Sequence, residues 1–361
     1  MKFKPKKLED QVIVITGATS GIGLVTAREA AKRGAKVVLA ARNEEALRNL
    51  ADEINSSGGE ATWADADVGN EEDVMKIAAE ALSKFGTIDT WINNAGVSIY
   101  GKLEEVPLED SKQLFETNFW GVVNGSLVAA RNLKTTGGTI INIGSTLSDR
   151  AIPIQGMYSA SKHAVKGFTD ALRMELEAED APICVTLVKP GAIDTPYIDH
   201  AKSYLGVDPI NPPPVYSPET AASVILRCAE HPVRDAFVGA GGKMISLLGK
   251  IAPRSTDLIM ENTMIEMQKS DESNDRELES LYESNDSSLT ERGGYPGHVA
   301  ESSLYSKATM HPVITGTALA IGAGGLFYGL ARTAKRVRSN NERASLRTSQ
   351  EINRTSQGHN Q

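Results

Sequence analysis

Tyr158 and Lys162 stand four residues apart in YSASKHAVKGF. On a helix they share one face, one turn apart. An ammonium beside a phenol favours the phenolate and lowers its pKa, so the pair is a candidate proton donor near neutral pH. A solvated helix carrying an unrelated Tyr and Lys gives the same spacing, and the pair alone does not decide between the two.

A second candidate lies near the N-terminus. TGATSGIG, residues 16–23, follows the apolar run VIVIT and opens a helical pattern. Glycines at 17, 21 and 23 permit a tight strand-to-helix turn. They also let backbone N–H groups and a helix N-terminus approach a pyrophosphate. Strand, glycine turn and helix in that order is the context a dinucleotide site requires. At the end of the next strand, VVLAARN places Ala40 and Ala41 where an NAD site carries an acid, then Arg42. A guanidinium can bind a 2′-phosphate that an acid would repel. NADP(H) is therefore expected over NAD(H), although an arginine opening a surface loop is the plainer alternative.

Positioning these groups takes a sheet. VIVIT (12–16), KVVLA (36–40), TIDTWINNA (87–95), TIINIGS (139–145) and ICVTLVKP (183–190) read as strands. They are apolar throughout rather than alternating, as buried parallel strands are. Helical patterns lie between them, with Gly34, Gly58 and Gly86 placed as C-caps,. A helix over 219–231 and a strand over 236–241 follow. The alternation predicts an α/β fold with helices on both faces of a parallel sheet.

The bulk composition agrees. The 361 residues are 40% hydrophobic and 23% charged, with a net charge of −8. That acidity excludes nonspecific nucleic-acid binding over the whole surface. Two cysteines, Cys184 and Cys228, make no disulfide framework, so a reducing compartment and a cytoplasmic catalytic domain are expected,. The basic start MKFKPKKLEDQ lacks the apolar stretch of a secretory signal,.

Thr-Gly-x-x-x-Gly-x-Gly, NNAG (93–96), Asn118, Ser145, YSASK (158–162) and Pro190-Gly191 together closely resemble the short-chain dehydrogenase/reductase family, classical type. The resemblance covers roughly residues 8–245. It implies a Rossmann fold, a doubly wound sheet of about seven strands, here with a C-terminal extension. It implies that Tyr158 is the general acid/base, that Lys162 lowers its pKa and holds the nicotinamide ribose, and that Ser145 polarises the substrate carbonyl. Asn118 would keep a kinked helix and a water relay to Lys162. Cofactor contacts carried over are Gly17, Thr19, Ser20, Gly21, Ile22, Gly23, Asp67, Val68, Asn94, Ala95, Gly96, Pro190, Gly191, Ile193 and Thr195, beside Arg42. Family members that use NADP often carry a basic residue inside the glycine turn, where this chain has Thr19-Ser20. Neither a metal nor a tight His/Cys cluster is expected. The implied activity is reduction of a carbonyl by hydride transfer, with a homo-oligomer as the default assembly. A dinucleotide-binding regulator without turnover is the second reading. A sugar-nucleotide epimerase would space its glycines differently.

Residues 195–217, long and Pro-rich, would select the substrate and could act as a lid. They hold no arginine, which hints at a neutral or lipophilic carbonyl compound. The catalytic domain is expected over 1–250. Residues 251–311 read as an acidic, partly disordered linker: Glu261 to Glu291 holds ten acidic and two basic residues,. Residues 312–331 carry no charge and are long enough to span a membrane,. A buried soluble helix is the alternative there, and the basic tail 332–361 leaves the topology open.

Overall fold

The computed structural model describes residues 3–273, 279–284 and 289–310. Seven parallel strands form the central sheet: β1 (Val12–Thr16), β2 (Lys36–Ala41), β3 (Glu60–Asp65), β4 (Thr90–Asn93), β5 (Gly138–Ile143), β6 (Ile183–Pro190) and β7 (Asp235–Val238). Their order is β7-β6-β5-β4-β1-β2-β3. This is the doubly wound Rossmann arrangement, with its reversal of direction between β1 and β4. Every residue of β1, β5 and β6 is buried. Successive side chains of a strand point to opposite faces, so both faces of the sheet are covered, which is why the strands read as unbroken apolar runs.

The connecting helices are α1 (Gly21–Lys32), α2 (Glu44–Ser56), α3 (Glu71–Phe85), α4 (Leu108–Phe115), α5 (Gly121–Thr136), α6 (Gly156–Ala178) and α7 (Pro218–Glu230). Asn43 and Asn70 cap α2 and α3 by accepting backbone N–H bonds,. Val12 and Val14 of β1 pack in one cluster with residues of α3, α5 and α6. α1 lies against α7.

A buried polar network ties the middle of the sheet to two helices. Asn93 Nδ2 donates to Asn142 Oδ1 at 2.8 Å and to Ser126 Oγ at 3.0 Å, and Trp91 Nε1 donates to Asn93 Oδ1 at 2.8 Å. Asn142 Nδ2 donates to Thr169 Oγ1 at 3.0 Å. The network fixes β4 and β5 against α5 and α6, the elements that carry the catalytic candidates.

The structure departs from the sequence expectation in three places. β3 was absent from the expected strands: it pairs only with β2, and as an edge strand it is largely part-exposed, with no continuous apolar run in EATWAD. Beyond β7 the chain turns at Gly239 into α8 (Ala240–Ile251) and α9 (Pro253–Met267), so a helix occupies the start of the expected linker. Residues 279–284 and 289–301 then return to the Rossmann domain instead of standing free. Their anchors include Leu281, which is fully buried, the ion pairs of Arg292 with Glu219 and Glu301, and the pairing of Val299–Ala300 with Val215–Tyr216. The apolar stretch 312–331 and the basic tail lie outside the described residues. Among the described residues no helix is long and apolar enough to cross a membrane.

Candidate active site

The nominated residues gather at the strand ends around β1 and β4. β1 gives way at Gly17, whose φ of +65° suits glycine,. A Cβ on Gly23 would lie 1.9 Å from the Gly17 carbonyl oxygen, so the start of α1 can fold back on the turn only without a side chain there. Asn94 Nδ2 donates to the carbonyls of Thr16 and Gly17 at 3.0 and 3.1 Å. The N–H groups of Asn94 and Ala95 donate to Thr16 Oγ1 at 3.0 and 3.1 Å. Asn94 and Ala95 thus hold the glycine turn in shape.

Tyr158 and Lys162 face one another on the first turns of α6, with Nζ 5.7 Å from the phenol ring centre. The expected depression of the phenol by Lys162 is not what the geometry gives. Burial raises the Tyr158 pKa above the ordinary phenol value, and hydrogen bonds with Tyr197 and Ser145 only partly offset this. Lys162 is aimed elsewhere: Nζ donates to the Ile143 carbonyl at 3.0 Å. Burial pushes its pKa down to about 8. The phenol and ammonium are both desolvated, and desolvation outweighs their mutual effect.

Asn118 lies in a π-helical turn, Glu116–Trp120, that interrupts α4 and α5. Its side chain is fully buried. Oδ1 accepts from the Val97 N–H at 2.8 Å, and Nδ2 donates to the Val97 carbonyl at 2.9 Å. The π turn supplies the kink, and the amide pins the segment after β4. Ser145 follows β5, and its Oγ accepts from the Leu147 N–H at 3.0 Å.

Tyr158, Lys162, Ser145 and the glycine turn open on one cavity of about 310 Å³. Of the residues nominated from sequence, every one lines it except Gly23 and Asn118. Gly23 acts by letting the turn close, and Asn118 by holding Val97. The glycine turn forms a cradle that side chains would fill, which fits a dinucleotide pyrophosphate. Arg42 stands at the far end of the cavity, near Asp67, partly buried and with its pKa lowered by that burial.

Further contributors come from residues 195–217, the loop expected to select the substrate, although none was nominated singly. The Tyr197 ring meets Tyr158 edge to face, centres 6.1 Å apart, and its hydroxyl donates to the Val97 carbonyl at 2.8 Å. His200, Asn211 and Pro212 line the cavity from the same loop. That loop is fastened, not a free lid. Lys202–Ser203 pairs with Ile99–Tyr100, Val207–Pro209 with Lys269–Ser273, and Val215–Tyr216 with Ala192–Ile193. Ser280 and Ser284, from the stretch read as a linker, also line the cavity. No sequence signal marks them. Tyr197 had one: it stands two residues after Thr195.

The profile of the family described as short chain dehydrogenase matches residues 11–204. The "Uncharacterized oxidoreductase YxnA" of Bacillus subtilis (strain 168) is 50% identical over 323 residues, 88% of this chain and 90% of that protein. The 11-beta-hydroxysteroid dehydrogenase A of Sesamum indicum is 38% identical over 51% of this chain and 53% of its own length. Among solved structures, an alcohol dehydrogenase from Thermococcus sibiricus complexed with 5-hydroxy-NADP aligns with a TM-score of 0.56 at 27% identity, covering 63% of this chain and 95% of that one. A short chain dehydrogenase/reductase from Burkholderia phymatum in complex with NAD aligns at 0.58 and 25%, covering 75% and 98%.

This chain belongs to the short-chain dehydrogenase/reductase family. It is an oxidoreductase of the CH–OH group that uses a nicotinamide dinucleotide. The alternative of a regulator without turnover has no support among these relatives.

Proposed function

We propose that the protein reduces a neutral or lipophilic carbonyl compound with NADPH. The observation that carries this reading is the meeting of Ser145, Tyr158, Lys162, the glycine turn and Arg42 in one cavity. A bound nicotinamide dinucleotide supplies the hydride. Gly17, Thr19, Ser20, Gly21 and Ile22 would hold its pyrophosphate, Asp67 and Val68 its adenine. Asn94, Ala95, Gly96, Pro190, Gly191, Ile193 and Thr195 would flank its remainder. Ser145 polarises the carbonyl, and Tyr158 gives the oxygen its proton as the hydride reaches the carbon. Lys162 stabilises the phenolate left behind. Asn118 acts through Val97 and α5 as a positioning residue.

The substrate class follows from what else lines the cavity. Among the described residues its basic side chains besides Arg42 and Lys162 reduce to His200, whose pKa burial lowers below the ordinary imidazole value. Tyr100, Ile152, Leu147, Tyr197 and Pro212 are apolar or aromatic. A carboxylate substrate would find no clamp beyond the groups already assigned. We also propose a homo-oligomer, supported by exposed Trp120, Leu127 and Met174 on the π turn, α5 and α6,.

The test is NADPH oxidation across a panel of aldehydes and ketones, neutral and carboxylated. Neutral lipophilic members should turn over. Tyr158→Phe should lower the rate by about 10²- to 10⁴-fold while NADPH still binds. Undiminished turnover in that variant removes Tyr158 as the proton donor.

A further inference from the structure

Arg42 is already engaged. Its guanidinium donates to three backbone carbonyls of one short segment: NH2 to Ser280 at 2.6 Å and Glu283 at 3.1 Å, NH1 to Tyr282 at 3.1 Å. The segment is held there by contacts that do not involve Arg42. Leu281 is fully buried in a cluster with Val97, Ile99 and Leu114, against which Tyr158 and Tyr204 pack. Tyr282 donates its hydroxyl to Asp110 Oδ1 at 2.6 Å. Glu279 pairs with Lys202 at 3.1 Å, and the Ser280 N–H donates to the His200 carbonyl at 2.9 Å.

From this we infer that the segment Glu279–Ser284 determines dinucleotide specificity by competing with a 2′-phosphate for Arg42. The inference rests on the reading that Arg42 receives that phosphate. Three carbonyl oxygens surround the guanidinium, and each presents lone pairs. A dianionic phosphate brought among them meets like partial charge and finds three of the five guanidinium N–H donors occupied. A ribose 2′-hydroxyl is a donor and suits the same carbonyls. With the segment in place the advantage of NADP(H) at Arg42 is therefore held down, and NADP(H) binds fully only as the segment gives way. Farther along, the Thr290 carbonyl accepts the Gly21 N–H at 2.9 Å. That contact lies at the pyrophosphate turn, where both dinucleotides are alike. The Arg42 contact is where they differ, so the ratio of their affinities isolates it.

The experiment is fluorescence titration of the full-length protein with NADPH and NADH. The variants are Leu281→Ala, which empties the segment's buried anchor, and Tyr282→Phe, which removes one hydroxyl. Each should tighten NADPH binding, by about tenfold for Leu281→Ala, as competing hydrogen bonds are released. NADH, which needs no release of Arg42, should gain nothing. Adding Arg42→Ala to Leu281→Ala should abolish the gain. Weakened NADPH binding in the segment variants would mean the segment props Arg42 for the phosphate, and unchanged binding would mean no competition. Either overturns the inference while the Arg42 reading stands. If Arg42→Ala leaves NADPH affinity untouched in the Leu281→Ala protein, the Arg42 reading itself fails.

Discussion

Two halves of this molecule meet at the same cavity by different means. The stretch matched by the family profile, residues 11–204, holds its site groups with buried, mutually satisfied contacts. The Asn93–Asn142–Ser126–Thr169 network and the Asn118–Val97 pair lie deep in the core. The returning stretch after α9 is held by surface ion pairs, backbone hydrogen bonds, a short strand pairing and the buried Leu281. The first arrangement makes a rigid template. The second makes a covering attached mostly at the surface, which suits the proposal that it shares Arg42 with a ligand.

The sharpest contrast is in stability. Asn142→Leu removes a partner from Asn93, Ser126 and Thr169 at once and should cost about 2–4 kcal/mol, since buried polar groups left unpaired carry their full desolvation penalty. Denaturant unfolding would read it. A cost below about 1 kcal/mol would mean the network is not what stiffens the template.

Next in size is a pH effect inside the template. Lys162 titrates at about 8, below its ordinary value, because burial disfavours its charge. Tyr158 lies above its ordinary value and keeps its proton through that range. As pH rises through about 8, Lys162 loses the charge that, in the proposed mechanism, stabilises the emerging phenolate. Reduction at saturating NADPH should fall up to tenfold per unit above that point. A rate flat to pH 10 would remove Lys162's charge from the account.

The smallest effect belongs to the covering. Arg292→Ala breaks exposed pairs with Glu219 and Glu301, and such pairs contribute about 0–1 kcal/mol. Unfolding should barely shift, and a loss matching that of Asn142→Leu would erase the distinction between the halves.

The two halves also differ in how readable they were. Glycine spacing, strand hydrophobicity and the Tyr158–Lys162 interval are local signals, and the elements they mark are where they were expected, except that the strand expected over 236–241 ends at Val238 and a helix starts at Ala240. β3 escaped because an edge strand is largely part-exposed and EATWAD carries no continuous apolar run,. α9 and residues 279–284 escaped because their acidic composition resembles a linker, and burial there rests on single residues such as Leu281. Arg42 reads from the sequence as a candidate 2′-phosphate ligand. Its carbonyl partners lie some 240 positions along the chain, and backbone acceptors leave no trace in residue type. The Tyr158 pKa was misjudged for a related reason: spacing gives the neighbour, whereas burial, which dominates the shift, is a property of the whole fold.

The central claim is that Arg42 directs this site toward NADPH, and the most direct measurement is a paired titration of the wild-type protein and Arg42→Ala with NADPH and NADH. The account predicts tighter binding of NADPH than NADH in the wild type, with the preference lost in Arg42→Ala through NADPH alone. Equal affinities in the wild type, or a preference that survives the substitution, would contradict it.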